Sequence, residues 1–137
     1  MISLDTNALL RFMLRDDEAH FDLIAPHIIN AEASSCLITL LVCMETDWVL
    51  ESCYKLTKSQ RIEFLNTLIS VKQFMLEDTA TLKRALLSFQ KGNADFSDNL
   101  INAQAKTLGA STTLTFDKKA QSAGMSYLLA TQSQLLT

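Results

Sequence analysis

The feature that most constrains this chain is the alternation of two hydrophobic periods. Five short runs have strand character: Ile2 to Leu4, Cys36 to Leu40, Lys72 to Leu76, Ser111 to Thr115 and Met125 to Leu129. Between them, apolar residues return every three or four positions, as on one face of a helix. Strands that alternate with helices imply a parallel sheet covered on both sides, with right-handed crossovers. The expected class is therefore α/β, with about five strands.

The helical stretches carry their own punctuation. A first helix from Thr6 to Arg15 presents Leu9, Leu10, Met13 and Leu14, and any of Asp5, Thr6 or Asn7 can cap it. A second starts at Asp16-Asp17-Glu18 and runs to about Ala31, with Phe21, Ile24, Ala25 and Ile28 inward. Pro26 falls inside it and predicts a kink or a restart. A third spans about Val42 to Tyr54. Thr57 and Gln60 have capping-box spacing for a fourth, whose buried face is Ile62, Leu65, Leu68 and Ile69. Asp78 or Thr79 opens a fifth that buries Leu82, Ala85, Leu86 and Phe89. A sixth runs from about Phe96 to Thr107 and closes at Gly109. Asp117 to Gly124 makes a short helix, and a last helical turn or two is expected before Thr137.

A chain of 137 residues suits one domain, 1–137, able to bury roughly two-thirds of its unfolded surface. The first strand begins almost at once, so no leader is expected. No apolar run reaches the ~18 residues of a membrane span, and Cys36 to Met44 is too short and too late for a signal peptide. Cys36, Cys43 and Cys53 are odd in number and lack metal-site spacing, which fits reduced core or half-core thiols in a cytoplasmic protein. His20 and His27 read as helix-surface residues. The net charge of −3 argues against a general nucleic-acid binder. If four carboxylates held two divalent ions, that balance would move by four, to +1.

Four acids stand where such a sheet exposes its carboxyl edge, the usual ligand position in open α/β folds. Asp5 follows the first strand and reads either as a helix N-cap or as a metal ligand. Glu45 shares a helix face with Leu41, Trp48, Val49 and Ser52. A carboxylate on an apolar stripe is costly unless it is paired or bound to metal, so Glu45 reads as a ligand, as a residue at the stripe's edge, or as the partner of a lysine. Asp98 lies three residues after Asp95, as an N3 acid behind an N-cap or as a ligand, and Asn102 follows one turn later on the same face. Asp117 follows Thr115-Phe116 at the end of the fourth strand and repeats the logic of Asp5.

Carboxylates gathered at one edge repel. At ~4 Å each pair costs about 1 kcal/mol in water and up to about 4 near a protein surface. Hard divalent cations relieve this, and an all-oxygen set favours Mg²⁺, with Mn²⁺ as substitute, over zinc. Such an ion suits hydrolysis of a phosphodiester. No Ser/His/Asp or Cys/His pair competes as nucleophile, and no glycine-rich phosphate loop is present.

Four segments, Leu4-Asp5-Thr6-Asn7, Glu45 with Trp48-Val49-Leu50, Asp95 to Ile101, and Thr115-Phe116-Asp117, give the chain a resemblance to PIN domains, most closely the VapC-type toxin ribonucleases. The resemblance implies a three-layer α/β/α fold and metal binding by Asp5, Glu45, Asp98 and Asp117. Thr6, Asn7, Asp95, Asn102 and Thr115 would support them. Asn99 stands where the family usually has Ala. The resemblance further implies Mg²⁺-dependent cleavage of single-stranded or loop RNA, tRNA or rRNA, a homodimer, and neutralisation by a cognate antitoxin. Substrate contacts would fall to Arg11, Arg15, Lys118 and Lys119.

Three rivals make different demands. A receiver domain needs an Asp after the third strand and a Lys after the fifth; Glu77-Asp78 offers the first, but Leu128-Leu129 lacks the second. A phosphatase with an Asp-x-Asp pair would need an acid where Asn7 stands. A PIN-type module that only binds RNA or protein would not need the intact acid set.

Overall fold

The computed structural model describes residues 1–129. The final helical turn expected before Thr137 lies outside them. The chain divides into two compact units, Met1–Thr79 and Ala80–Thr137. Their charges differ in sign: twelve Asp/Glu against six Lys/Arg give −6 in the first, and three against six give +3 in the second.

The first unit runs β1 (Ile2–Ser3), α1 (Thr6–Leu14), α2 (Glu18–Ile29), β2 (Cys36–Ile38), α3 (Leu40–Ser52), α4 (Lys58–Ser70) and β3 (Phe74–Leu76). Its strands pair in parallel in the order β1-β2-β3, with Ile2 opposite Cys36 and Cys36 opposite Phe74. Each crossover is a pair of helices. Leu4, beyond β1, still donates its N–H to the Leu37 carbonyl at 3.1 Å and is buried, whereas Ile2 is exposed. Phe12 of α1 stacks on Phe21 of α2, centroids 5.9 Å apart, and meets Phe74 of β3 edge-on at 6.2 Å. One aromatic thereby ties two helices to the sheet. The predicted stripe of α2 holds, with Ala25 and Ile28 buried, and the helix runs through Pro26. The Thr57/Gln60 capping box is present.

The second strand stops earlier than its sequence suggested. Thr39 leaves the ladder to cap α3, accepting from the Val42 N–H at 3.2 Å, and Leu40 becomes the first helical residue. Glu77, just past β3, adds its carboxylate to the Leu40 N–H at 2.8 Å. An acid at a helix start is favoured by the dipole. Glu77 is thus engaged at α3, which counts against a receiver-type role for the end of β3.

The inward face of α3 also differs from expectation. Leu41 and Trp48 are 66% and 65% exposed, and the buried residues are Val42, Cys43, Thr46, Asp47 and Leu50. The helix has apolar residues around most of its circumference, so spacing alone left the choice of face open. Asp47 is buried because Arg61 of α4 meets it: Nε donates to Oδ1 at 2.8 Å, Nη1 to the Leu56 carbonyl at 3.0 Å, and Nη2 lies 3.2 Å from Glu51.

The second unit contains α5 (Thr79–Lys91, which opens at the boundary), α6 (Phe96–Thr107), β4 (Leu114–Thr115), a 3₁₀ helix (Lys118–Ala123) and β5 (Ser126–Tyr127). Leu82, Ala85, Leu86 and Phe89 face inward as predicted, and Phe89 packs edge-on against Phe96 at 5.7 Å. Strands β4 and β5 pair in parallel with each other. All five expected strands form, shorter than expected, but as a ladder of three and a ladder of two. Cys36 and Cys43 are buried, whereas Cys53 is exposed and not half-core. Among the described residues, no helix is long and apolar enough to cross a membrane.

Candidate active site

Asp5 and Glu45 belong to the first unit. Because β1 and β2 run parallel, their following helices α1 and α3 start at the same edge of the sheet. Asp5 is the N-cap of α1: one carboxylate oxygen accepts from the Ala8 N–H at 2.8 Å. The residue is exposed, so its charge remains solvated. Glu45 lies six residues beyond the α3 cap, a rise of about 9 Å, on the exposed face with Leu41 and Trp48. The stripe argument for Glu45 therefore fails, because water solvates its carboxylate.

The supporting residues of this unit differ among themselves. Asn7 is exposed. The Thr6 hydroxyl is buried without a hydrogen-bond partner among the described residues, and so is that of Thr46, next to Glu45. Buried hydroxyls normally find partners, and these two find none among the described residues.

Asp95, Asp98 and Asp117 belong to the second unit. Asp95 is the N-cap of α6 by backbone, but its side chain makes no cap hydrogen bond. The capping-box reading of Asp95 and Asp98 is thereby corrected. Asp98, in the first turn of α6, is partly buried, and its carboxyl is held above the usual aspartate range. Burial is the largest cause, followed by the charges of Asp95 and Asp117. Asp117 caps the 3₁₀ helix through the Lys119 N–H at 3.0 Å, while Thr115 Oγ1 accepts from the Asp117 N–H at 3.0 Å. Both the cap and the candidate-ligand readings of Asp117 remain compatible with this geometry.

What holds these acids together was not evident in the sequence. Ser122 Oγ accepts from the backbone N–H groups of Asn93 and Ala94, at 3.2 and 2.9 Å, and donates to the Lys119 carbonyl at 3.0 Å. One hydroxyl thus joins the loop that carries Asp95 to the helix that follows Asp117. The approach is close enough that a Cβ on Gly92 would lie 2.7 Å from that oxygen. Asn102, buried, donates to the Ala123 carbonyl at 2.7 Å, and Asn99 donates to the Asp95 carbonyl at 2.9 Å. The Oδ1 atoms of both asparagines lack partners among the described residues. Asn102 thereby braces the 3₁₀ helix. Asn99, the departure from the family pattern, braces the start of α6.

Of the basic residues, Arg11 pairs with Asp16 at 3.3 Å, and Arg15 pairs with Glu18 at 2.9 Å and lies over the Phe21 ring. Both arginines, expected to face substrate, are engaged in surface ion pairs. Lys118 and Lys119 are exposed, and with Asn93, Asp117, Gln121 and Ser122 they line an open cleft of about 600 Å³.

The structure contains no three His, Cys, Asp or Glu side chains gathered to ligand distance among the described residues. Asp98 feels its two neighbours as charges rather than as partners at a shared ligand. The donor chemistry nonetheless fits a hard cation: the groups are carboxylates, and Asp98 carries a like-charge burden that a cation would lift.

No curated protein matches the chain. The PIN domain family model matches residues 2–124, across both units and all four candidate acids. Proteins with this domain are generally metal-dependent nucleases that commonly use Mg²⁺ or Mn²⁺. By that match, over nearly its whole length, the chain belongs to the PIN domain family.

Proposed function

We propose that this protein is a Mg²⁺-dependent endoribonuclease, a cytoplasmic toxin of the VapC type, whose ion is held by Asp5, Glu45, Asp98 and Asp117. The observation that carries the reading is the placing of Asp98, partly buried in the first turn of α6, near Asp95 and Asp117; burial first, and those two charges after it, push its carboxyl above the usual aspartate range. Such a carboxylate is a poor structural choice and a good cation site. The family match across both units further supports one PIN domain over residues 1–137.

When bound, the ion would supply charge neutralisation and activation of water for attack on a phosphodiester in single-stranded or loop RNA. The chain's own part is positional. Asp5 and Asp117 are fixed by their caps, Asp98 by the first turn of α6, and the Asp95 loop by Ser122. Lys118 and Lys119 offer charge to RNA phosphates beside Asp117. A homodimer would cover exposed apolar residues of the early helices, such as Leu23 and Ile29 of α2. A cognate antitoxin would restrain the activity.

The test is incubation of the purified protein with total RNA. Cleavage with Mg²⁺ and none with EDTA is expected. Asp5→Asn and Asp98→Asn should each lower the rate on the order of 10²-fold or more while the fold persists. Full activity in the Asn variants would overturn the acid assignment. RNA binding without cleavage would favour the silent module. Growth arrest relieved by the protein encoded next door is expected, and its absence would overturn the toxin reading alone.

A further inference from the structure

A second cleft of about 380 Å³ lies in the second unit, lined by Arg84, Leu87, Ser88, Lys91, Gly92 and Ser122. Its most unusual member is Arg84. The chain has four arginines, at positions 11, 15, 61 and 84. The first three pair with carboxylates. Arg84 has no carboxylate partner among the described residues. Its Nη2 instead donates to two hydroxyls, Thr81 Oγ1 at 3.1 Å and Thr107 Oγ1 at 2.6 Å.

Those threonines fix the guanidinium without neutralising it. Thr81 is fully buried, and the two hydroxyls lie 2.7 Å apart in a network closed by Thr107 donating to the Ala103 carbonyl at 3.1 Å. A guanidinium has five N–H donors in a rigid fork, and only Nη2 is engaged by these contacts. A held but uncompensated fork suits an anion with paired oxygens, as phosphate has. Lys91 adds a second exposed cation in the same cleft, and Ser88 adds a hydroxyl.

Ser122 lines both this cleft and the one that contains Asp117, Lys118 and Lys119. The two are therefore neighbours across a single residue, and the positive residues continue from one to the other. We propose that the Arg84–Lys91 cleft binds the phosphodiester backbone of a single-stranded RNA whose adjoining segment passes Asp117. The identity of the strand as RNA rests on the nuclease reading above; the anion chemistry does not. Phosphate contacts of this kind set register and affinity and carry no base preference.

The experiment is fluorescence anisotropy of a labelled single-stranded RNA with the full chain in EDTA, so that binding is read without cleavage. Arg84→Gln and Lys91→Gln should each weaken binding about tenfold and lower the salt slope by about 0.7 per lost contact. Lys91 is exposed, so its variant tests the cleft even if Arg84→Gln disturbs the threonine network. Affinity and slope unchanged in both variants would overturn the proposal. Inorganic phosphate or a mononucleotide binding as tightly as the RNA would reassign the cleft to a free anion and overturn the strand. The two readings fail separately. RNA binding that depends on Arg84 in a protein that never cleaves leaves the cleft and removes the nuclease. Cleavage with unaltered binding by the variants does the reverse.

Discussion

The two compact units treat their charges in opposite ways. The first carries an excess of acids and gives many of them structural partners: Asp5 and Asp17 cap helices, Asp16 accepts from Tyr54 and Arg11, Glu77 meets the start of α3, and Asp47 is buried against Arg61. The second carries an excess of bases, yet among the described residues its three acids have no salt bridge, and its arginine is held by hydroxyls. Charge in the first unit mostly holds structure together. In the second unit Asp117 caps a helix and Arg84 rests on hydroxyls, with no ion pair among the described residues.

The strongest test of that contrast is the buried pair. Arg61→Ala leaves Asp47 charged and enclosed, which should cost about 3–5 kcal/mol in urea or thermal unfolding. A loss below ~1 kcal/mol would mean that the pair does not join α3 to α4.

The second unit should break by crowding instead. Gly92→Ala places a methyl against Ser122 and should cost about 1–3 kcal/mol. Ser122→Ala should cost about 1 kcal/mol and also weaken Mn²⁺ binding in a spectroscopic titration, because the Asp95 loop is no longer tied to the segment after Asp117. Unchanged Mn²⁺ affinity would make Ser122 a purely structural residue.

A smaller effect of opposite sign is expected at Asp98. Its folded carboxyl holds a proton more tightly than the unfolded one, so the folded state binds more protons as pH rises through the gap, and stability falls there. Asp98→Asn should therefore raise the melting temperature in EDTA by about 1–3 °C at neutral pH. Mg²⁺ should raise it in the parent and far less in the variant. A variant that melts lower in EDTA would show that Asp98 is structural after all.

The smallest effect is chemical. Cys43, pushed up to about 12 by burial and then by the charge of Glu77, should resist alkylation in the native protein. Exposed Cys53 should react first, with no change in the melting curve.

Local signals were legible where one residue type determines the outcome. The Thr57/Gln60 box, the Asp5 and Asp117 caps, the span of α6 and the inward face of α5 all follow from nearest neighbours along the chain. Asp5, Asp98 and Asp117 were nameable because each stands near a strand end or a helix start; Glu45 was named for an apolar stripe that the structure turns outward. Less legible was α3, where a nearly uniform apolar surface hides the buried side. Ser122 and Arg84 were invisible for a related reason: a serine and an arginine that lie off the apolar stripe carry no period of their own.

The sequence by itself determined the alternation of short parallel strands with capped helices, and the family, because periodicity and capping are properties of a dozen consecutive residues. Only the tertiary structure decided which face of α3 is wet, that Asp47 has Arg61, that one hydroxyl ties a loop to the 3₁₀ helix, and that Arg84 rests on two threonine hydroxyls. Those outcomes depend on which distant residue arrives opposite, and burial and pairing are set by that arrival, not by the residue itself.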